Sequence, residues 1–180
     1  MHRLLKKLSG GDRRSVGRSN EVVTHVLVSP ANFRHLVKGL AADDPLLRMR
    51  TTDAIEKITS HRPELLRPHK GKLLAIAGST TQQEIRWHAA LIIPRLELTP
   101  KERAAALDIL FDYLRDKSSI VKTFAMQAIW DLSSADAKLK PQIIPLIEEL
   151  TQVGTAAMRA RGRKILQQQT PASSRRPKFL

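Results

Sequence analysis

Glu84 and His88 stand one helical turn apart, the spacing at which a carboxylate and an imidazole can share one face of a helix and bind a metal ion. A carboxylate-bridged di-iron site needs two such pairs and two further carboxylates, and this chain contains one pair. The six histidines form no HExxH motif, and the absence of cysteine excludes thiolate ligands, cysteine nucleophiles and disulfides. The sequence matches neither a phosphate-loop nor a nucleophile-elbow motif. We therefore predict no metal site, no cofactor and no catalytic residue.

The elements that position these side chains follow from a repeated pattern. A basic residue preceded by an aliphatic residue or methionine recurs at Arg48, Arg86, Lys122 and Arg159, with steps of 38, 36 and 37 residues. Small or apolar residues mostly follow at the third, fourth and seventh positions after it, on one side of a helix. One helix cannot bury such a stripe alone, so we expect paired helices that stack into a continuous core. We interpret the recurring basic residues as structural, bonding turn carbonyls or acids between repeats.

Capping residues and prolines set the predicted helix boundaries. Ser19, Ser29 and Thr99 are predicted N-caps, because their hydroxyls can accept hydrogen bonds from first-turn amides. The predicted helices cover residues 19–28, 30–40, 45–60, 63–78, 80–96, 99–115, 119–132, 137–153 and 156–168. Prolines within them should bend or break the helix, namely Pro68, Pro94, Pro141 and Pro145. No strand alternation appears, so the predicted fold class is all-α.

We divide the chain into a basic N-terminal arm at residues 1–18, a repeat domain at 19–169 and a disordered basic tail at 170–180. Within the arm, Leu4, Leu5 and Leu8 can form one short amphipathic turn. The longest apolar runs are five residues, whereas a membrane span needs about 20, so we predict no transmembrane segment. A cytoplasmic location is the simplest expectation.

Two segments carry a resemblance to a known family. Residues 85–90 (IRWHAA) and 121–125 (VKTFA) resemble the second helix of the HEAT repeat, and the acids Asp43, Asp44 and Asp116 stand in the turns before such helices. The resemblance covers about residues 30–169 and extends to small bacterial HEAT-like proteins. It implies a right-handed α-solenoid of about four helix-pair repeats, with partners bound on the concave face of the second helices. It implies no particular activity.

The side of the second helices opposite the apolar stripe is the predicted partner-binding face. Both tryptophans and one phenylalanine fall off the stripe there, and large exposed rings are typical of contact surfaces. The alternative is that Trp87 and Trp130 wedge between neighbouring helices and only pack. The predicted partner-binding residues are Arg50, Asp53, Trp87, His88, Leu91, Arg95, Phe124, Gln127, Trp130, Asp131, Arg161 and Lys164.

The positive charge is concentrated at the two ends of the chain. The net charge is +14, of which residues 1–20 supply +5, residues 155–180 supply +7 and the stretch between them +2. Basic ends attract polyanions such as nucleic acids, although they can also serve only to keep a solenoid in solution. The candidate polyanion contacts are Arg13, Arg14, Arg18, Arg175, Arg176 and Lys178.

These observations favour a non-enzymatic protein-interaction scaffold or adaptor, with a protein as its partner. The alternative is a nucleic-acid-binding protein that uses its basic termini. A less favoured third reading comes from HEAT-like alkylpurine DNA glycosylases, which place tryptophans and an aspartate on a concave basic surface. Trp87, Trp130 and Asp131 are similar to that set, but Asp131 directly follows a tryptophan instead of lying one turn away.

Overall fold

The computed structural model describes residues 1–12, 15–134 and 136–168, and over these residues it is all-helical, with no strand. This confirms the predicted all-α class. The chain divides into two compact units, Met1–Ile109 and Leu110–Leu180, here called the N-terminal and C-terminal units. In the part of the chain just defined, no helix is both long and apolar enough to cross a membrane.

The helices lie close to the predicted positions. Those of the N-terminal unit are α1 (Arg3–Leu8), α2 (Ser19–Val28), α3 (Phe33–Leu36), α4 (Pro45–His61), α5 (Lys70–Ser79), α6 (Gln83–Ile92) and the start of α7 (Pro100–Tyr113). Those of the C-terminal unit after α7 are α8 (Ser119–Ser134), α9 (Lys140–Val153) and α10 (Ala156–Gln167). Short 3-10 turns occupy Pro30–Asn32, Val37–Ala41, Pro63–His69 and Ile93–Arg95.

Side-chain caps explain where several helices begin. The carboxylate of Asp44 accepts a hydrogen bond from the Leu46 amide at 2.9 Å, and Pro45 fills the first helical position of α4. Thr99 and Glu102 form a reciprocal capping box at α7, in which each side chain accepts from the other residue's amide. The predicted cap at Thr99 is thereby confirmed.

Four local predictions differ from the structure. Ser19 does not cap α2, because its hydroxyl donates instead to Asp53 of α4 and the N-cap residue is Arg18. Residues 63–78 do not form one bent helix, since the segment around Pro68 is a 3-10 turn and α5 starts after it. Pro145, predicted to bend or break its helix, lies within an unbroken α9. The predicted N-cap Ser29 makes no side-chain cap bond to the turn that begins at Pro30.

The N-terminal segment is part of the N-terminal unit rather than the predicted separate arm. Leu4, Leu5 and Leu8 of α1 are buried, and α1 contacts α2, α3 and α4. The three leucines fall on one side of the short helix, so removing them from water supplies the energy that docks it.

Each unit pairs its helices through an apolar stripe. In the N-terminal unit α4 lies between α2 and α6, and Ile55, Ile58, Ile85 and Ile92 are buried. In the C-terminal unit α10 packs against both α8 and α9. Gly162 permits the close approach of α9 and α10, because a Cβ at this position would overlap Thr151.

Three of the four recurring basic residues bond carbonyls in the turn that precedes their helix. Arg48 donates to the carbonyls of Ala42 and Asp43, Arg86 donates to that of Thr80, and Arg159 donates to that of Gly154, at 2.7–2.9 Å. Their structural role is confirmed for these three positions. Lys122 makes no such bond to the residues that the structure describes. At the three arginine positions, the guanidinium therefore holds the turn against the helix that follows it.

Candidate functional site

The predicted face of the N-terminal unit lies on α4 and α6, which are neighbours. Its ionisable side chains form hydrogen bonds and ion pairs with one another. Its apolar side chains, Trp87 and Leu91, lie on α6. We call this surface the α4–α6 face and define it by Asp53, Glu56, Lys57, Trp87, His88, Leu91 and Arg95.

Asp53 is the centre of a hydrogen-bond network that joins α2 to α4. Its carboxylate is 8% exposed and accepts from the Ser19 hydroxyl at 2.6 Å and from the Lys57 ammonium at 2.8 Å. Lys57 also donates to the side-chain oxygen of Asn20 at 3.2 Å. Asp53 thus differs from the exposed contact that the sequence predicts, because the hydroxyl and the ammonium hold it in place.

Arg95 connects the end of α6 to α4. Its guanidinium donates to the Glu56 carboxylate at 2.6 Å, to the Glu56 carbonyl at 2.7 Å and to the Thr59 hydroxyl at 3.2 Å. Both charged side chains are largely buried, so the pair is screened less than a surface ion pair. Arg95 therefore fixes the spacing of α4 and α6 and is less available to a partner than predicted.

His88 and Trp87 occupy the middle of the face. His88 is 8% exposed and Trp87 is half-buried, and their rings meet edge to face with centroids 5.1 Å apart. The Nδ1 atom of His88 and the Nε1 atom of Trp87 are both buried, and neither has a hydrogen-bond partner in the described part of the chain. The great majority of buried polar groups in proteins have a hydrogen-bond partner, so two adjacent exceptions need a physical reason. Leu91, one turn after Trp87, is half-buried beside them.

Burial lowers the pKa of His88 below its ordinary value. The negative charges of Asp53, Glu56 and Glu84 oppose this shift, whereas the Lys57 ammonium adds to it. Because desolvation is the largest cause, the imidazole is held neutral at neutral pH. A neutral ring has one nitrogen that donates and one that accepts, so Nδ1 can take either role.

Arg50 does not belong to this face, although the sequence predicts it there. It is 2% exposed, and its guanidinium donates to the carbonyls of Leu8, Gly10, Asp12 and Ser15 at 2.5–3.0 Å. The side chain thus holds the loop between α1 and α2 in place. Sequence reasoning missed this role because backbone carbonyls carry no residue-type signal.

In the C-terminal unit the predicted residues gather on α8 and α10. Gln127 donates to the Asp131 carboxylate at 2.8 Å, and its amide oxygen accepts from Arg161 at 3.4 Å. Burial raises the pKa of Asp131, while the bond from Gln127 and the charge of Arg161 act against that rise. Phe124 is half-buried and Lys164 is exposed. This relay brings together three of the predicted residues, Gln127, Asp131 and Arg161, and Lys164 lies on the same α10 helix.

Trp130 packs in the core of the C-terminal unit. It is 5% exposed, and the Lys140 ammonium lies 5.1 Å from its ring centroid, within cation–π range. Of the two readings that the sequence leaves open for this residue, the structure shows the packed one. A buried indole has no free face for a DNA base, which removes one of the three residues behind the glycosylase resemblance.

Of the candidate polyanion contacts, the structure describes Arg18. Its guanidinium donates two 2.7 Å hydrogen bonds to the Glu21 carboxylate, and these bonds lower the pKa of Glu21 to about 2. Residues 13, 14, 175, 176 and 178 lie outside the described residues. Among those described, no three His, Asp or Glu side chains gather in a way that would hold a metal ion.

No protein-family model matches the sequence, and no curated protein matches it. The α4–α6 face is therefore interpreted from its geometry. Sequence reasoning missed Ser19 and Glu56 as members of its network. The i, i+4 pairing of Asp53 with Lys57 is visible in the sequence, but the bonds across helices are not.

Proposed function

We propose that this protein is a non-enzymatic scaffold that binds a partner protein on the α4–α6 face. The charged side chains of the face are held by bonds within and between helices, so little side-chain freedom remains to be lost on binding. Rigid helices position such groups better than loops do. The face also carries a half-buried indole beside Leu91, and tryptophan is common at the centre of interfaces.

The two unpaired nitrogens of Trp87 and His88 carry this proposal. Trp87 is half-buried and His88 is buried directly beside it, and neither nitrogen finds an acceptor or donor among the residues that the structure describes. A partner that presents a carbonyl or carboxylate oxygen would supply one. The half-buried indole reaches it through a change of rotamer, which is common at interfaces.

We further infer that the helix pairs follow one another as a right-handed HEAT-like α-solenoid. The support comes from within each unit, where second helices lie side by side and an arginine closes the preceding turn.

The test compares partner capture by the tagged wild-type protein with capture by the Trp87→Ala and Trp87→Phe variants, measured by quantitative mass spectrometry of native cell extract. Alanine removes the anchor and should abolish capture. Phenylalanine keeps a ring but loses the N–H, which should weaken binding about tenfold, the upper range for one hydrogen bond. Lys72→Ala, at an exposed α5 position, is the matched control and should leave capture unchanged.

Thermal unfolding of the same variants separates binding from packing. If Trp87→Ala lowers the free energy of unfolding by about 3–5 kcal/mol, which is typical of truncating a core aromatic residue, then Trp87 is a packing residue. That result, or unchanged capture by Trp87→Ala, would contradict the proposal.

A second candidate function is supported by α10. This helix carries Arg159, Arg161, Arg163 and Lys164 and no acidic residue. Arg163 and Lys164 are exposed and form no ion pair with the described residues. A row of unpaired cations is the usual contact for nucleic-acid phosphates.

A further inference from the structure

Residues 9–12, 15 and 17, between α1 and α2, line an open cavity of about 380 Å³. Among the described residues, four basic side chains reach it from three helices or their ends: Lys6 and Lys7 from α1, Arg18 from the start of α2 and Arg50 from α4. The remaining lining residues are Ser9, Gly10, Gly11, Asp12, Ser15 and Gly17. The cavity belongs to the N-terminal unit and does not share residues with the α4–α6 face.

The loop is built to surround a cation. Gly10, Gly11 and Gly17 have φ values of 71°, 84° and 56°, in the left-handed region that favours glycine. This backbone turns four carbonyl oxygens toward the Arg50 guanidinium. At Gly17 a Cβ would lie 2.9 Å from the guanidinium carbon of Arg50, so the close approach also requires glycine.

Arg50 is a buried cation whose hydrogen bonds all go to neutral groups. No carboxylate among the described residues forms an ion pair with it. Carbonyl dipoles compensate a buried charge only in part, and an uncompensated buried charge is costly. An anion in the cavity would lower that cost without breaking the bonds to the loop.

The other cations leave the cavity with an excess of positive charge. Lys7 and Arg18 share one partner, Glu21, and Lys6 forms no ion pair within the described part of the chain. Asp12 lines the cavity and has interactions of its own. Among the described residues, four cations therefore line the cavity, against Asp12 in its wall and Glu21 beside it. The α2 helix also begins here with no side-chain cap, and its N-terminal dipole favours negative charge.

We infer that this cavity binds a phosphoryl group, with Lys6, Lys7 and Arg18 as its ligands and Arg50 as the fixed charge behind them. A phosphate dianion carries the charge that would offset the excess of cations among these described residues. Its oxygens accept several charge-assisted hydrogen bonds at once, for which arginine and lysine are the usual donors. The site is independent of the proposed partner face, so either can be present without the other.

The test is calorimetric titration of the full chain with inorganic phosphate, phosphoserine and AMP. Wild-type protein should bind at least one of these probes, and the probe with the greatest affinity identifies the source of the phosphoryl group. The double variant Lys6→Gln and Lys7→Gln keeps good helix formers in α1 and should lower affinity about tenfold or more. The matched control, Lys72→Gln with Lys101→Gln, removes two exposed lysines elsewhere in the N-terminal unit and should bind as wild type does.

Two outcomes overturn the inference. One is the absence of binding to all three probes at about 10 mM, a concentration that would saturate a site with a millimolar Kd. The other is equal affinity in the two double variants, which would mean that net charge rather than this cavity attracts the anion. Circular dichroism of both variants, with helical content equal to that of the wild type, ensures that a loss of binding reports the site.

Discussion

At His88, burial and neighbouring charge act in opposite directions. Burial disfavours the charged ring, while Asp53, Glu56 and Glu84 favour it, and burial is the stronger effect. The pKa of His88 is therefore lower in the folded protein than in the unfolded chain. Because the Nδ1 atom of the same side chain has no hydrogen-bond partner among the described residues, its protonation state matters for stability and, under the proposed function, for partner binding.

We expect the free energy of unfolding to fall as the pH is lowered from about 8 to about 5.5, across the ordinary histidine pKa. In this range the unfolded chain takes up a proton that folded His88 resists, so acid favours unfolding. Urea unfolding followed by circular dichroism at several pH values measures the slope.

The His88→Gln variant should lose part of that slope. Burial also lowers the pKa of His69, but this side chain is only half-buried, so His69→Gln should remove a smaller part. A slope in His88→Gln equal to that of the wild type would show that the ring titrates normally in the folded protein.

At the scale of the helices, the effect of a glycine on packing depends on whether it lies against a neighbouring helix. Gly162 of α10 faces Thr151 of α9 so closely that a methyl group would overlap it. Gly71 of α5, in contrast, has no atom within 4 Å of where its Cβ would be. Both glycines lie in helices, where glycine is less favourable than alanine.

The same substitution should therefore have opposite effects at these two positions. Gly71→Ala should stabilise the protein by about 0.5–1 kcal/mol, because alanine loses less backbone entropy in a helix. Gly162→Ala should destabilise it by about 1–3 kcal/mol, the usual cost of overpacking. Thermal unfolding of the two variants against wild type measures both effects. A stabilised Gly162→Ala would mean that α9 and α10 can move apart at little cost.

The sequence predicts the helices well because their ends carry residue-type signals. Pro45 after Asp44, and Thr99 followed by Glu102, mark helix starts that the structure confirms. The docking of α1 and the role of Arg50 were not predictable in the same way. The carbonyl partners of Arg50 lie 35 to 42 residues away and have no sequence signature. Ser19 shows the same limit, since a serine at a helix start normally caps it.

At the scale of the whole molecule, the distribution of charge distinguishes the two candidate functions. The net charge is +14, and the last 26 residues supply +7 of it without one acidic residue. In the described part of this stretch, the charge lies on α10. Partner binding on the α4–α6 face needs none of these cations, whereas nucleic-acid binding through the basic end of the chain depends on them.

Fluorescence titration with duplex DNA and with RNA, at about 50 and 200 mM salt, separates the two functions because phosphate contacts release counterions. If nucleic acid is the ligand, affinity should fall by orders of magnitude between these salt concentrations. Arg163→Gln with Lys164→Gln should then reduce the salt slope by about two, one for each lost phosphate contact. A chain lacking residues 170–180 tests the tail separately.

The exposed pair Lys72→Gln and Lys101→Gln controls for net charge, since it removes the same two charges from another surface. Equal slopes in the two double variants would mean that α10 is not the contact, and no binding at low salt would leave the partner protein on the α4–α6 face as the remaining function.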